Sequence, residues 1–512
     1  MFSKEFYSSK EGQEGAMSTN RKTIVITQVI LILLAGCGPS QPESTAHEPI
    51  QATMEPELET QAESAYSLVQ DIGYIEGAQM FDEQEALKHV EYLASDQLEG
   101  RLVGTPGNQK AGDYIAARFA EYDLQPAGTN GFFQPFTTTV TINVAQPILT
   151  ITHPSLDGSS NEANSRTYVT HLEYVPRIAL YLGSGDITGQ VVWLGECNPS
   201  DFDKSLANQI ILCKPLSGSG FTQAVDKALE YKIGGLLVIR EDDGPYARSG
   251  YSFGELINIP AFRVSYAITE DIIASNQFTL ADLDQLEVPT TLDTTVRMAN
   301  SFGRTETQAR NVLGLLPGTD PLQKDEIVVI GAHYDHVGVD PDGTIYNGAN
   351  DNASGVAVML EIARLWQSQG FRPARSILFV AWDAEEQGYL GSEYYVSDPV
   401  YPLDQTVALL NLDMVGVGDI VFIAGENAMA DQLQNSVIAY GFTADTEPGN
   451  AADDIPFQNE GIPSATYMIS PDSPYKLAFH RPDDDTQIIQ PNSLRTIGIL
   501  SAHALFAWSA GG

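Results

Sequence analysis

Basic residues are scarce in this chain. Of its 512 residues only 27 are Lys or Arg, against 67 Asp or Glu, and the formal net charge is −40. Neutralising phosphates needs clustered Lys and Arg, so recognition of nucleic acid through a basic face is excluded and no nucleic-acid partner is expected. Charged residues amount to only 18%, so the imbalance reflects missing base as much as abundant acid. Long apolar runs are also absent. The longest near the start, Thr23–Leu34, is too short to span a membrane, which takes about 20 residues. Cysteine occurs three times and histidine eight times. Hydrophobic residues make up 43%, near the globular norm, so most of the chain can fold. The length excludes a single small module and predicts two to four domains.

Arg21 and Lys22 precede the apolar run, which ends in Leu34-Ala35-Gly36-Cys37. A basic start, a short apolar stretch and a small-residue exit describe an export signal. Met17 lies just before the basic pair, so the start falls either there or at Met1. Leu-Ala-Gly-Cys resembles the bacterial lipobox, which implies lipidation of Cys37, a membrane partnership through a lipid anchor, and an outer-membrane or periplasmic location. From Gly38 the chain is rich in Pro, Glu, Gln, Ser and Thr, with six Glu between Glu43 and Glu63 and no base; this reads as a disordered acidic tether. The remaining cysteines, Cys197 and Cys213, are either a disulfide formed in an oxidising compartment or two free, buried thiols on neighbouring strands.

In the folded part, the spacing predicts helices over Phe81–Ala94, with Asp82 as N-cap, and Gln109–Tyr122, then a strand over Phe132–Val144. Between about 150 and 300 lie short β runs (Gln190–Leu194, Gln209–Cys213, Gly235–Ile239) and one helix, with no cluster of His, Cys and acid. From about Gln308 the pattern becomes strand, loop, helix. Glu326–Gly331, Ser376–Ala381, Thr406–Leu412, Ile420–Ala424 and Ala465–Ile469 read as strands, Ser354–Gln367 and Pro491–Ser509 as helices. Strands apolar almost throughout, alternating with helices, predict an α/β fold with a mostly parallel sheet covered on both faces. Ligands of such sheets bind beyond the carboxyl ends of the strands.

Those ends carry the chain's chemistry. The first is followed by His333-Tyr334-Asp335-His336 and a loop, Asn347–Gly355, that contains Asp351. The next is followed by Asp383-Ala384-Glu385-Glu386, and the third by Asp413. Past the last strand comes Phe479-His480-Arg481-Pro482-Asp483. Imidazoles and carboxylates together suit zinc and related divalent ions. Crowded carboxylates repel one another, and two divalent cations would offset that. His336 is a further ligand, a substrate contact or an exposed loop residue. Gly250-Tyr251-Ser252-Phe253-Gly254 matches the Gly-x-Ser-x-Gly nucleophile pattern but lacks its strand–turn–helix context.

These segments resemble metallopeptidase family 28, the co-catalytic dizinc aminopeptidases. The resemblance covers about Phe81–Phe136 and Ala309–Ala507, and the residues between resemble an inserted, smaller protease-associated domain. It rests most firmly on Gly331–Asp335, Asn347–Gly355, Glu385-Glu386 with Gly391-Ser392, and Asn411–Gly416. It implies a sheet sandwiched by helices and two Zn²⁺ or other divalent ions. His333 and Asp413 would hold one ion, Glu386 and His480 the other, with Asp351 bridging. Glu385 would be the general base, and Asp335 would orient a histidine ligand. The implied activity is removal of N-terminal residues from peptides with a free N-terminus. The alternatives are a carboxypeptidase or other amidohydrolase on the same core, a glutaminyl-cyclase-like transferase, and a non-catalytic peptide-binding protein. The expected division is a signal over 1–37, a tether over 38–75, the catalytic domain over 76–148 and 301–512, and the insert over 149–300.

Two positions depart from the family pattern. Phe479 stands where a Tyr hydroxyl often precedes the last histidine ligand. Ala452-Asp453-Asp454 replaces Ser-Asp-His near the substrate pocket, which predicts an effect of Asp454 on specificity toward cationic or amino-bearing groups.

Overall fold

The computed structural model describes residues 77–510, apart from 155–163, 179–180, 215–218, 241–246, 249–253, 426–427, 448–451 and 472–477. The export signal, Cys37, the tether and most of the Gly-x-Ser-x-Gly segment lie outside the described residues.

The first helix, α1 (Glu83–Leu93), is capped by Asp82, whose carboxylate accepts from the Gln84 and Glu85 N–H groups. α2 (Pro106–Glu121) starts behind a Thr105 cap with Pro at its first position. The strand expected over Phe132–Val144 is much longer, β1 (Phe133–His153). After it come β2 (Gly185–Trp193), β3 (Ile210–Cys213), α3 (Ser219–Glu230), β4 (Gly235–Ile239), β5 (Ala261–Val264) and α4 (Tyr266–Ala274). A 27-residue strand, β6 (Thr290–Leu316), pairs antiparallel with β1 along most of its length. The expected boundaries at 148/149 and 300/301 therefore fall inside two continuous strands. A strand this long changes neighbours along its course, so alternation of side chains carries no mark of where one core ends and the next begins.

The larger elements that follow are β7 (Ile327–His333), α5 (Ser354–Gln369), β8 (Ser376–Trp382), α6 (Leu390–Ser397), β9 (Thr406–Leu412), β10 (Ile420–Ala424), α7 (Ala428–Ala439), β11 (Thr443–Glu447), β12 (Ser464–Ser470) and α8 (Pro491–Ser509). Their strand order is β11-β10-β12-β9-β7-β8-β6. The four central strands, β12, β9, β7 and β8, run parallel. β6 and β10 join antiparallel on either side. Alternate residues of β7 enter two cores: Val328, Ile330 and Ala332 pack with α1, α2, α5 and α8, whereas Ile327 and Val329 pack with Trp382, Tyr395 and Phe457. Burial on both faces is why these strands read as unbroken apolar runs.

β2, β3, β4 and β5 continue from β6 with their own pair of cores. Ile210 and Leu212 face one, Ile211 and Cys213 the other. Cys197 and Cys213 form a disulfide across a Cα–Cα distance of 5.6 Å. No described helix is long and apolar enough to cross a membrane.

Candidate metal centre and active site

Every chemistry-bearing segment leaves the carboxyl end of a central strand or the loop beside it. His333 is the last residue of β7 and pairs in register with Trp382, the last of β8, so the two strand exits lie side by side. Asp413 follows β9 directly. Asp351 sits in the loop that opens α5, and its approach depends on Gly348. That glycine has φ 59, and a Cβ on it would lie 2.6 Å from the His336 ring.

The donors form two sets that share one carboxylate. His333, Asp351 and Asp413 form the first; His336, Asp351, Glu386 and His480 form the second, with donor atoms within 4.8 Å of one another in each set. Asp351 divides its oxygens between them: Oδ1 lies 3.2 Å from His333 Nε2, and Oδ2 lies 3.1 Å from His480 Nε2. Asp413 Oδ1 is 3.4 Å from His333 Nε2, and Glu386 Oε2 is 2.9 Å from His480 Nε2. Asp351 Oδ2, Asp413 Oδ1 and His336 Nε2 are buried with no aligned hydrogen-bond partner. The two carboxylate oxygens lie near imidazole nitrogens without hydrogen-bond alignment, the geometry of donors converging on a common point. These residues fit two divalent cations, one in each set and Asp351 between.

The electrostatics agree. Burial, together with Glu386, Asp453 and Asp413, drives Glu385 well above the usual carboxylate range despite His333. Burial, with Asp351 and Glu386 nearby, likewise raises Asp413. Burial opposes charge on His480 too, but Glu386 and Asp351 outweigh it and hold the ring well above its usual range. Carboxylates that repel and imidazoles recruited to offset them mark a place where positive charge is wanted.

The supporting contacts differ from expectation at two residues. Asp335 was expected to accept the second N–H of a histidine ligand through its carboxylate. Instead His333 Nδ1 lies 3.2 Å from the Asp335 main-chain carbonyl and 3.7 Å from its carboxylate. The carboxylate is occupied by the N–H groups of Glu385 (3.0 Å) and Glu386 (3.3 Å). Asp335 thus fixes the His333 tautomer through its backbone and the Glu385-Glu386 pair through its side chain. Asp454, expected to face the substrate, is fully buried at the start of a short helix, Ile455–Asn459, and accepts from the Ala452 N–H (3.1 Å) and from Gln458 (2.7 Å). Its neighbour Asp453 faces the centre instead and accepts from Ser392 Oγ at 2.6 Å.

Three other residues gain roles. His336 is fully buried, not an exposed loop residue, and donates through Nδ1 to Glu386 Oε1 at 2.8 Å. Asp484 accepts from the N–H groups of Asn350 (2.7 Å) and Asp351 (3.0 Å), which sets the bridging residue. Buried Arg101 donates to the carbonyls of Leu93, Tyr334, Asn347 and Gly348 and ties the ligand loops together. Of the three, the sequence marks His336 as a candidate ligand and Asp484 by its place four residues beyond His480 in an acidic run. Phe479 stacks on His480 with centroids 3.8 Å apart and brings no hydroxyl.

Residues 311–505 match the model of peptidase family M28. Aminopeptidase YwaD of Bacillus subtilis (strain 168) is 30% identical over 214 residues, which cover 40% of this chain and 45% of that protein. The chain thus aligns with less than half the length of this curated relative. Among solved structures, an aminopeptidase from Aneurinibacillus sp. strain AM-1 superposes with TM-score 0.62 at 20% identity, covering 85% of this chain and 96% of that one. BSAP, a zinc aminopeptidase from Bacillus subtilis, superposes with TM-score 0.57 at 21% identity, covering 84% and 95%. The fold is shared with both structures.

Proposed function

We propose that the chain is an exported zinc metallopeptidase, an aminopeptidase that removes N-terminal residues from peptides. The observation that carries this reading is the pair of donor sets joined through Asp351, with one further carboxylate, Glu385, beside them and bound to neither. The Glu385 side chain is 13% exposed where that of Glu386 is 3%. Adjacent residues at one strand end thus divide the work: Glu386 is turned in to the ligands and Glu385 is the more exposed of the two.

Two zinc ions held by His333 and Asp413, and by Glu386 and His480, would supply Lewis acidity toward the scissile carbonyl and acidify the attacking water. Glu385 takes the proton of that water and delivers it to the leaving amine. Its position is fixed by the Asp335 carboxylate on its N–H. The matched family domain and the aminopeptidases to which the chain is similar support the peptidase reading. Export, a lipid anchor on Cys37 and an outer-membrane location are proposed from residues 17–37 alone. The protease-associated identity of the insert is proposed from its sequence resemblance.

The test compares peptides with a free N-terminus against the same peptides acyl-blocked, and against peptides amidated at the C-terminus. An aminopeptidase loses the blocked substrates and keeps the amidated ones. The reverse pattern establishes a carboxypeptidase on the same core.

A further inference from the structure

His480 needs its ring held so that Nε2 faces the second donor set, and the group that holds it comes from outside the M28 domain. Its Nδ1 donates to the main-chain carbonyl of Arg248 at 2.6 Å, and the Arg248 N–H donates back to the His480 carbonyl at 2.9 Å. Arg248 lies in the segment between β4 and β5, about 60 residues before the matched peptidase domain begins. Its side chain is buried and anchored on the Gly338–Tyr346 hairpin that follows β7. Nε lies 2.8 Å from Asp340 Oδ1, and the guanidinium covers the Tyr346 ring at 5.2 Å. Tyr346 in turn donates its hydroxyl to Asp340 Oδ2 at 2.7 Å. His171, also from the insert, meets the same pair, 3.8 Å from Asp340 Oδ2 and edge-on to Tyr346.

We infer that Arg248 is a positioning residue through which the insert completes the second metal site: its side chain is locked to Asp340 and Tyr346, and its backbone orients His480. The insert is then a working part of the centre rather than a cover beside it. A backbone carbonyl is a dependable acceptor only if its segment is fixed. The Asp340–Tyr346 anchor supplies that fixing, and the paired N–H and carbonyl bonds give His480 a single orientation.

This inference rests on the proposed dizinc reading, and the test separates the two. The full chain is loaded with Zn²⁺ alone, and release of zinc to a chromophoric chelator is followed for wild type, Arg248→Ala, Arg248→Lys and Asp340→Asn. Two ions are expected in the wild type. In Arg248→Ala and Asp340→Asn one ion should leave roughly 10- to 100-fold more readily, the range seen when an outer partner of a ligand is lost, while the other keeps its wild-type rate. Arg248→Lys should recover part of the difference, because it keeps the charge opposite Asp340. Asp340→Asn preserves shape and an acceptor for Tyr346, so it decides the matter if Arg248→Ala does not fold. Wild-type release of both ions from the variants, or equal acceleration of both, overturns the positioning role. Failure of the wild type to bind zinc overturns the metal reading itself.

Discussion

Glu385 and Glu386 share a strand end, a peptide bond and the Asp335 carboxylate, yet they do different things because of which way each faces. Glu386 is enclosed by His336 and His480 and is held below the usual carboxylate range, burial notwithstanding. Glu385 has no such cation beside it except His333, whose Nε2 is 4.0 Å away. Two acids pushed apart by their surroundings are a frequent basis of acid–base assignment. Glu385→Gln should lower turnover about 10²-fold or more with zinc content unchanged, read by steady-state kinetics beside metal analysis. Near-normal turnover would remove Glu385 from the mechanism. Asp484 acts one step further out. Asp484→Ala leaves two buried N–H groups unpaired, at about 1–3 kcal/mol each. It should therefore weaken zinc binding even though Asp484 touches no ion; a competition titration with unchanged affinity would contradict this. The convergence of His333, Asp351, Glu386, Asp413 and His480 was legible in the sequence because each sits at a strand end or in a loop of marked residue types. The roles of Arg101 and Arg248 were not, since they act through backbone groups 246 and 232 positions away.

At the scale of elements, the central strands and α5 were readable because burial on both faces leaves unbroken apolar runs. β7 and β8 each extend one or two residues past the expected end, and those residues, His333 and Trp382, are where the site begins. The long pair β1 and β6 was not readable as such. Much of its length alternates exposed and buried residues, and it passes from the cores around the central strands to those of β2–β5 without a break. The β2–β5 region also carries its own brace. The disulfide joins residues 16 apart, just after β2 and at the end of β3. Closing a loop of that length is worth roughly 3 kcal/mol in chain-entropy terms. Cys197 and Cys213 should be unreactive to thiol reagents before reduction. Cys197→Ser should lower the melting temperature while leaving zinc stoichiometry at the wild-type value. Two reactive thiols in the unreduced, unfolded chain would contradict the pairing.

At the scale of the whole molecule, the acids among the described residues divide into a majority that are not buried and a few buried carboxylates, several of them in or beside the two donor sets. Buried neutral histidines add a pH limit of their own. Burial lowers His89 and His171 to about 4, with Arg118 adding to the effect at His89 and Asp340 opposing it at His171. In the unfolded chain each titrates near 6.5, so as pH falls below that value the unfolded state takes up protons first. Stability should then fall by roughly 1.4 kcal/mol per pH unit per histidine until about pH 4, and be fully present above pH 6.5. Denaturation of the metal-free chain at pH 7 and pH 5 should show a smaller difference for His89→Gln than for the wild type; equal differences would discard the contribution of His89. The account as a whole stands on the two donor sets joined by Asp351, and zinc analysis coupled to chelation tests it most directly. Two zinc ions per chain are predicted, with hydrolysis of aminoacyl-nitroanilides lost on chelation and restored by Zn²⁺. A chain that holds no zinc, or hydrolysis of these substrates indifferent to the chelator, would contradict it.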